Sequence, residues 1–100
     1  MSANEMTTDE LRRKIDALDE ELVRLLAERV EVSRLIGLEK EKLGLPVLDA
    51  ARERRVLDRV RTRAATRGLD EHDAERIYER IMDATKAVQH TTVAFQGEPG

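Results

Sequence analysis

The feature that most constrains this chain is a helical repeat of apolar residues that continues without interruption through its first half. Apolar side chains recur there at intervals of three and four residues, at Leu11, Ile15, Leu18, Leu22, Leu25, Val32 and Ile36. Thr7 and Glu10 have the spacing of a capping box at the start. Gly44 and Pro46 follow the end. The sequence therefore predicts a helix from about Thr8 to Leu43.

The length of this helix is difficult to accommodate in a small monomer. At 1.5 Å per residue it would extend about 54 Å, whereas a compact chain of 100 residues has a diameter of roughly 33 Å. Either the helix breaks near Gly37, or its projecting half buries its apolar stripe against a second chain. Because the stripe continues along the whole length, we expect an intertwined homodimer.

Two further helices are predicted. One begins at Asp49 and ends at Arg67 before Gly68, and the other follows Asp70. The last helix carries an apolar series that fades near residues 90–91, formed by Ile77, Ile81, Ala84 and Val88. The expected fold is all-α, with three helices per chain and six in the homodimer. We expect a single domain over residues 1–91 and a flexible tail over residues 92–100.

Composition excludes several classes of function. Aromatic residues make up 2% of the chain and the net charge is −3, which argues against nucleic-acid binding. The chain has no Cys, so no thiolate nucleophile, disulfide or Cys-bound zinc is expected. No stretch resembles a signal peptide or a membrane span, so we expect a cytoplasmic protein without a membrane partner. We expect no metal and no cofactor.

Polar side chains occupy positions where the helical repeats predict apolar residues. They are Arg29 and Lys40 in the first helix, Asp49 and Glu53 in the second, and Thr85 and Gln89 in the third. Each has an ordinary structural explanation, such as a helix cap or a cation whose stem lies on apolar surface. Together with Arg52, however, they leave surplus positive charge between the helices. A small anionic ligand would compensate it.

The same residues carry a resemblance to a known family. The runs that resemble it are Leu11-Arg12 with Ile15-Asp16, Leu25 to Arg29, Ile36-Gly37 with Lys40, Pro46 to Glu53, and Thr85 with Gln89. In this order and at these intervals, over about residues 8–90, the chain resembles the all-helical chorismate mutases. The resemblance implies an intertwined homodimer that rearranges chorismate to prephenate, without metal or cofactor.

The resemblance also implies a role for each site residue. Arg29, and Arg12 from the other subunit, would hold the carboxylates of the dianionic substrate. Lys40 would contact a carboxylate and the ether oxygen, and Gln89 the ether oxygen. Glu53 would bind the ring hydroxyl, with Asp49 contributing through its backbone. Arg52 and Thr85 would support the ring carboxylate, and Thr85 stands where the family member compared most closely has Ser. His72 is expected at the surface.

Three alternatives stay open at this point. A 4-amino-4-deoxychorismate mutase would use the same residues, because Glu53 could pair with an ammonium as well as with a hydroxyl. An isochorismate pyruvate-lyase shares the fold, but the resemblance gives it no Asp-Xaa-Xaa-Arg-Glu run, which this chain has at residues 49–53. A helical dimerisation module without activity could use the polar positions to set register. Feedback control, a partner enzyme and the metabolic branch are not specified by the sequence.

Overall fold

The protein consists of three α-helices, named α1 (Thr8–Leu43), α2 (Ala50–Thr66) and α3 (Glu71–Gly97). The structure is a computed structural model that describes residues 6–46 and 48–97, and over 89–97 it describes the helical backbone only. The all-helical class and the long first helix are confirmed. No helix in the described part of the chain is both long enough and apolar enough to cross a bilayer.

The ends of α1 follow the predicted capping chemistry. The Thr7 hydroxyl accepts a hydrogen bond from the amide of Glu10 at 3.1 Å. At the other end Gly44 has φ +68° and its amide donates to the carbonyl of Glu41, while the amide of Leu45 donates to that of Lys40. The helix runs through Gly37 without a break, so the alternative of a broken first helix is wrong.

The second and third helices begin at carboxylate caps. Asp49 Oδ1 accepts from the amide of Arg52 at 3.0 Å, and Asp70 Oδ1 accepts from the amide of Asp73 at 2.9 Å. α3 continues to Gly97, beyond the predicted fading near residues 90–91. The apolar repeat stops there, but no breaker precedes Gly97 and Pro99, and each added helical residue gains a backbone hydrogen bond. Residues 98–100 lie outside the described residues, and the predicted division at residue 91 stays a prediction.

α3 is the element that holds the chain together, because it packs against both α1 and α2. Its buried face carries Ala74, Met82 and Thr85, which meet Ser33 and Gly37 of α1 and Ala64 of α2 in the small core. The chain is elongated, with extents of 60 × 30 × 16 Å and a radius of gyration of 17.9 Å. A compact chain of this length would have a radius near 13 Å.

The first half of α1 extends beyond the other two helices and leaves its apolar stripe in the open. Ile15 and Leu18 are 56% and 62% exposed, and Leu11, Leu22 and Leu25 are exposed as well. Charged residues elsewhere on α1 pair with each other along the helix, Arg24 with Glu21 and Glu28, and Arg34 with Glu31. These pairs are solvent-exposed, so they contribute little to folding and are screened by salt.

The connection between α2 and α3 makes a prediction about stability. Gly68 has φ +75°, and the amides of Gly68 and Leu69 donate to the carbonyls of Ala65 and Ala64. A Cβ in this left-handed conformation costs about 1–2 kcal/mol. Gly68→Ala should therefore lower the free energy of unfolding by about that amount, measured by urea denaturation at one fixed protein concentration. Gly68→Asn is the matched control and should cost less, since Asn tolerates this conformation. An unchanged midpoint for Gly68→Ala would contradict this assignment of the turn.

Candidate active site

A half-open cavity of about 290 Å³, lined by many charged side chains, lies between the three helices. From α1 it is lined by four residues spaced at intervals of four, three and four, which places them on one face: Arg29, Ser33, Ile36 and Lys40. The start of α2 contributes Asp49, Arg52, Glu53 and Val56, and α3 contributes Met82, Thr85 and Lys86. Six of the eight predicted site residues therefore line one cavity: Arg29, Lys40, Asp49, Arg52, Glu53 and Thr85.

The charges around this cavity are predominantly positive. Four cationic side chains line it, namely Arg29, Lys40, Arg52 and Lys86, against the two carboxylates of Asp49 and Glu53. The balance of four positive and two negative charges is +2. The predicted surplus of positive charge between the helices is confirmed, and it favours an anionic ligand. Among the described residues, no cluster of His, Cys, Asp and Glu is arranged to hold a metal ion.

Arg29 is held at the inner end of the cavity by two residues of α3. Its Nη1 donates to Thr85 Oγ1 at 3.5 Å, and its guanidinium carbon lies 5.7 Å from the centre of the Tyr78 ring. Thr85 is only 6% exposed, and its own hydroxyl donates to the carbonyl of Met82 at 2.9 Å. Because that hydroxyl is fixed by α3, it gives the guanidinium a positioned acceptor on this side of the cavity. A planar guanidinium held in this way can bind a carboxylate through two hydrogen bonds.

Asp49 and Arg52 take their positions from the start of α2. The Asp49 carboxylate caps the helix by accepting from the amide of Arg52, so its predicted role as an N-cap is confirmed. The cap fixes the first turn of α2, from which Arg52 and Glu53 reach the cavity. The first-turn amides also give this end of the helix a partial positive charge, which adds to the field of the cations.

Lys86 is a cavity residue that the sequence did not reveal. Its Nζ lies 3.1 Å from Glu53 Oε1 and 3.7 Å from Asp83 Oδ1. The hydrogen bond to Glu53 raises the pKa of the Lys86 ammonium above its ordinary value, so Lys86 carries its charge at neutral pH. Lys86 follows Met82 by four residues and Thr85 by one, but its place in the cavity follows only from its contact with Glu53 on another helix. Ser33 follows Arg29 by four residues and could have been found by the same spacing.

The structure does not bring Arg12 to this cavity, and it does not describe the side chain of Gln89. Arg12 is exposed near the start of α1, 17 residues before Arg29 and therefore about 26 Å from it along the helix axis. Its side chain cannot span that distance to the cavity of its own chain. Gln89 lies in α3, one helical turn after Thr85, but its side chain is outside the described part of the structure. His72 is exposed, as predicted.

An apolar groove of about 430 Å³ lies next to the cavity, with Arg29 lining both. Its apolar lining comes from all three helices and from the connection between α2 and α3, and consists of Leu22, Leu25, Leu26, Val60, Ala64, Leu69, Ala74, Ile77 and Ile81. Ile77 is 61% exposed, although it belongs to the most apolar repeat of α3. The face of α3 that packs within the chain is instead the one that carries Tyr78, Met82 and Thr85.

Comparison with known proteins gives a consistent result. The model of the family described as chorismate mutase type II matches residues 11–90. A chorismate mutase of Methanocaldococcus jannaschii is 32% identical over 80 residues, which are 80% of this chain and 81% of that protein. A 4-amino-4-deoxychorismate mutase of Streptomyces venezuelae is 33% identical over 72% of this chain and 70% of its own length.

A longer protein is also similar to this chain. The bifunctional chorismate mutase/prephenate dehydratase of Escherichia coli K12 is 40% identical over 79 residues, which are 79% of this chain but only 20% of that protein. The matched region contains the residues that line the cavity, from Arg29 to Lys86. With the family model covering four fifths of its length, the chain belongs to the chorismate mutase type II family.

Proposed function

We propose that the cavity binds chorismate and catalyses its rearrangement to prephenate, an intramolecular isomerisation. The observation that carries this proposal is the net charge of +2 around a cavity of about 290 Å³ in a chain of this family. A pericyclic rearrangement needs neither a nucleophile nor a proton transfer. It needs a dianion folded into a chair-like conformer, with donors placed where negative charge develops on the ether oxygen.

The cations of the cavity supply both requirements. Arg29, which is hydrogen-bonded to Thr85 and lies over the Tyr78 ring, would bind one substrate carboxylate. Arg52 at the start of α2 would support the ring carboxylate, with Thr85 acting through Arg29. Lys40 would donate to a carboxylate and to the ether oxygen, which gains negative charge as the C–O bond breaks. Glu53 would accept a hydrogen bond from the ring hydroxyl, and Asp49 would act through the backbone of the first turn of α2.

We further propose that the working form is an intertwined homodimer. The exposed stripe on the first half of α1 and the apolar groove beside the cavity both lack a cover within the chain. Side chains such as Ile15 and Leu18 from the α1 helix of a second copy would fill the groove. The same packing in the other direction would bury the apolar stripe of each chain against its partner. In that arrangement Arg12, which lies about 26 Å from Arg29 in its own chain, would enter the cavity of the partner subunit.

Other parts of the proposal extend the sequence predictions. Residues 1–91 are proposed as the catalytic domain and residues 92–100 as a segment beyond it, with the helical backbone of α3 reaching Gly97. The cytoplasm is the proposed location, in keeping with a biosynthetic family. Neither a metal nor an organic cofactor is part of the proposed chemistry.

The dimer prediction is tested by sedimentation equilibrium. The chain should sediment with twice its mass of 11.4 kDa at micromolar concentration, because the apolar stripe of α1 has no cover in the monomer. Leu18→Glu would place a charge in the middle of that stripe and should shift the equilibrium toward monomer. Arg24→Glu, on the solvent-exposed ion-paired face, is the control and should leave the dimer intact. A folded wild-type monomer at these concentrations would contradict the proposal.

The shared site is tested by mixing two inactive variants. Arg12→Ala and Lys40→Ala should each lose on the order of 10²-fold in turnover. When equal amounts are unfolded and refolded together, half the dimers are mixed and each has one intact site, so a quarter of the wild-type activity should return. The matched control mixes Arg29→Ala with Lys40→Ala. Both residues line the cavity of one chain, so every site of the mixed dimer then carries a lesion.

Recovery from the first mixture and none from the second would support a site built from two subunits. Mass spectrometry under native conditions checks that mixed dimers have formed. If they are present and the Arg12→Ala mixture stays as inactive as its parents, then Arg12 does not serve the partner subunit and the shared-site proposal is wrong.

The proposed donor at residue 89 is tested through its pH dependence. Gln89→Glu replaces an amide by a group that can donate only when protonated, and an ordinary Glu has a pKa of about 4.3. Activity of this variant should fall at pH 7, where the carboxylate opposes charge on the ether oxygen, and rise as the pH is lowered. Gln89→Ala is the control and should be slow at every pH. A Gln89→Glu profile that matches wild type would remove residue 89 from the mechanism.

A further inference from the structure

The Lys86–Glu53 ion pair joins α3 to α2 beside the cavity. The two side chains are 33% and 31% exposed, so both are partly shielded from solvent. Nζ of Lys86 lies 3.1 Å from Oε1 of Glu53, which leaves Oε2 as the second acceptor of that carboxylate. The exposed Asp83 lies farther from the ammonium, at 3.7 Å.

We propose that Lys86 determines which ring substituent the cavity accepts, a hydroxyl in preference to an ammonium, by compensating the charge of Glu53. This inference rests on the proposed function, in which Glu53 binds the substituent of the substrate ring. It concerns the choice between chorismate and its 4-amino analogue, which have the same two carboxylates and differ at that substituent.

The charges explain the preference. A bare Glu53 carboxylate would attract a substrate ammonium and would repel a dianion without one. With Lys86 in place, Glu53 belongs to a pair of zero net charge, and its second oxygen can accept a hydrogen bond from a neutral hydroxyl. A primary ammonium at the same position would lie within a few ångströms of the Lys86 charge. In a partly desolvated cavity this repulsion is stronger than it would be in water.

The effect of Lys86 is local, because its ammonium lies 3.1 Å from the carboxylate that would hold the ring substituent. Lys86 is thus a positioning residue that acts on the substrate through Glu53.

The test compares kcat/KM for chorismate and for 4-amino-4-deoxychorismate at neutral pH. Wild type should prefer chorismate. Lys86→Met should change the ratio of the two kcat/KM values by at least about tenfold in favour of the amino compound. The change should fall mainly in KM, because the charge of the ammonium is the same in the ground state and the transition state. Lys86→Arg keeps the charge and should retain the wild-type preference.

Two further variants guard against indirect effects. Lys86→Gln removes the charge but keeps a polar side chain, and it should shift the ratio in the same direction if Lys86→Met folds poorly. Arg76→Met removes an exposed cation from α3 that does not line the cavity, and it should leave the ratio unchanged. Circular dichroism checks that each variant is helical.

The outcomes separate this inference from the proposed function. If wild type leaves chorismate unchanged, the proposed function is wrong and the inference falls with it. If wild type rearranges chorismate but the folded Lys86 variants keep its ratio within twofold, the proposed function stands and the role of Lys86 is wrong. A ratio that shifts equally in Lys86→Arg would also overturn the inference, because the charge would not be the cause.

Discussion

The structure depends on a mismatch between α1 and the surface available to cover it. A helix of 36 residues carries one apolar stripe, but the residues of α1 that are buried within the chain are Ser33 and Gly37, and the stripe is exposed from Leu25 back to Leu11. The small core of a single chain is therefore concentrated at one end of the molecule. The cavity lies at that end, between helices whose packing uses small residues such as Ala64, Ala74 and Thr85. Small residues let the helices approach closely and leave room for long cationic side chains beside them.

Polar residues on the helical repeats were the most informative part of the sequence. The repeats predicted apolar residues at the positions of Arg29, Lys40 and Glu53, and the structure brings these three side chains to one cavity. The starts of the helices and the ends of α1 and α2 were equally predictable, because Thr7, Asp49, Asp70 and the two glycines with positive φ act through local hydrogen bonds. The end of α3 at Gly97 was not, because no such signal follows the last apolar residue of its repeat. Such signals need no knowledge of tertiary packing.

What the sequence did not reveal depends on contacts between helices. Lys86 looks like one more cation in a chain that is 39% charged, and only its distance to Glu53 on another helix gives it a place in the site. The two faces of α3 also differ in a way that the sequence does not specify, because Ile77 on the most apolar repeat is exposed within the chain while the neighbouring face with Met82 is buried. The apolar residues of a helix show which of its faces tends to be buried. They do not show whether another helix of the same chain or a second chain buries that face.

The contact between Arg29 and Thr85 joins residues that are 56 positions apart in the chain. Closing so long a loop requires α1 and α3 to be docked, so the cavity exists only when the whole chain has its native structure. A ligand bound there stabilises that state alone, and at one hundred times its dissociation constant it would add about 2.7 kcal/mol to the free energy of unfolding. The supply of such a ligand would then set the fraction of molecules that are open to proteolysis, so that the lifetime of the protein follows the concentration of what it binds.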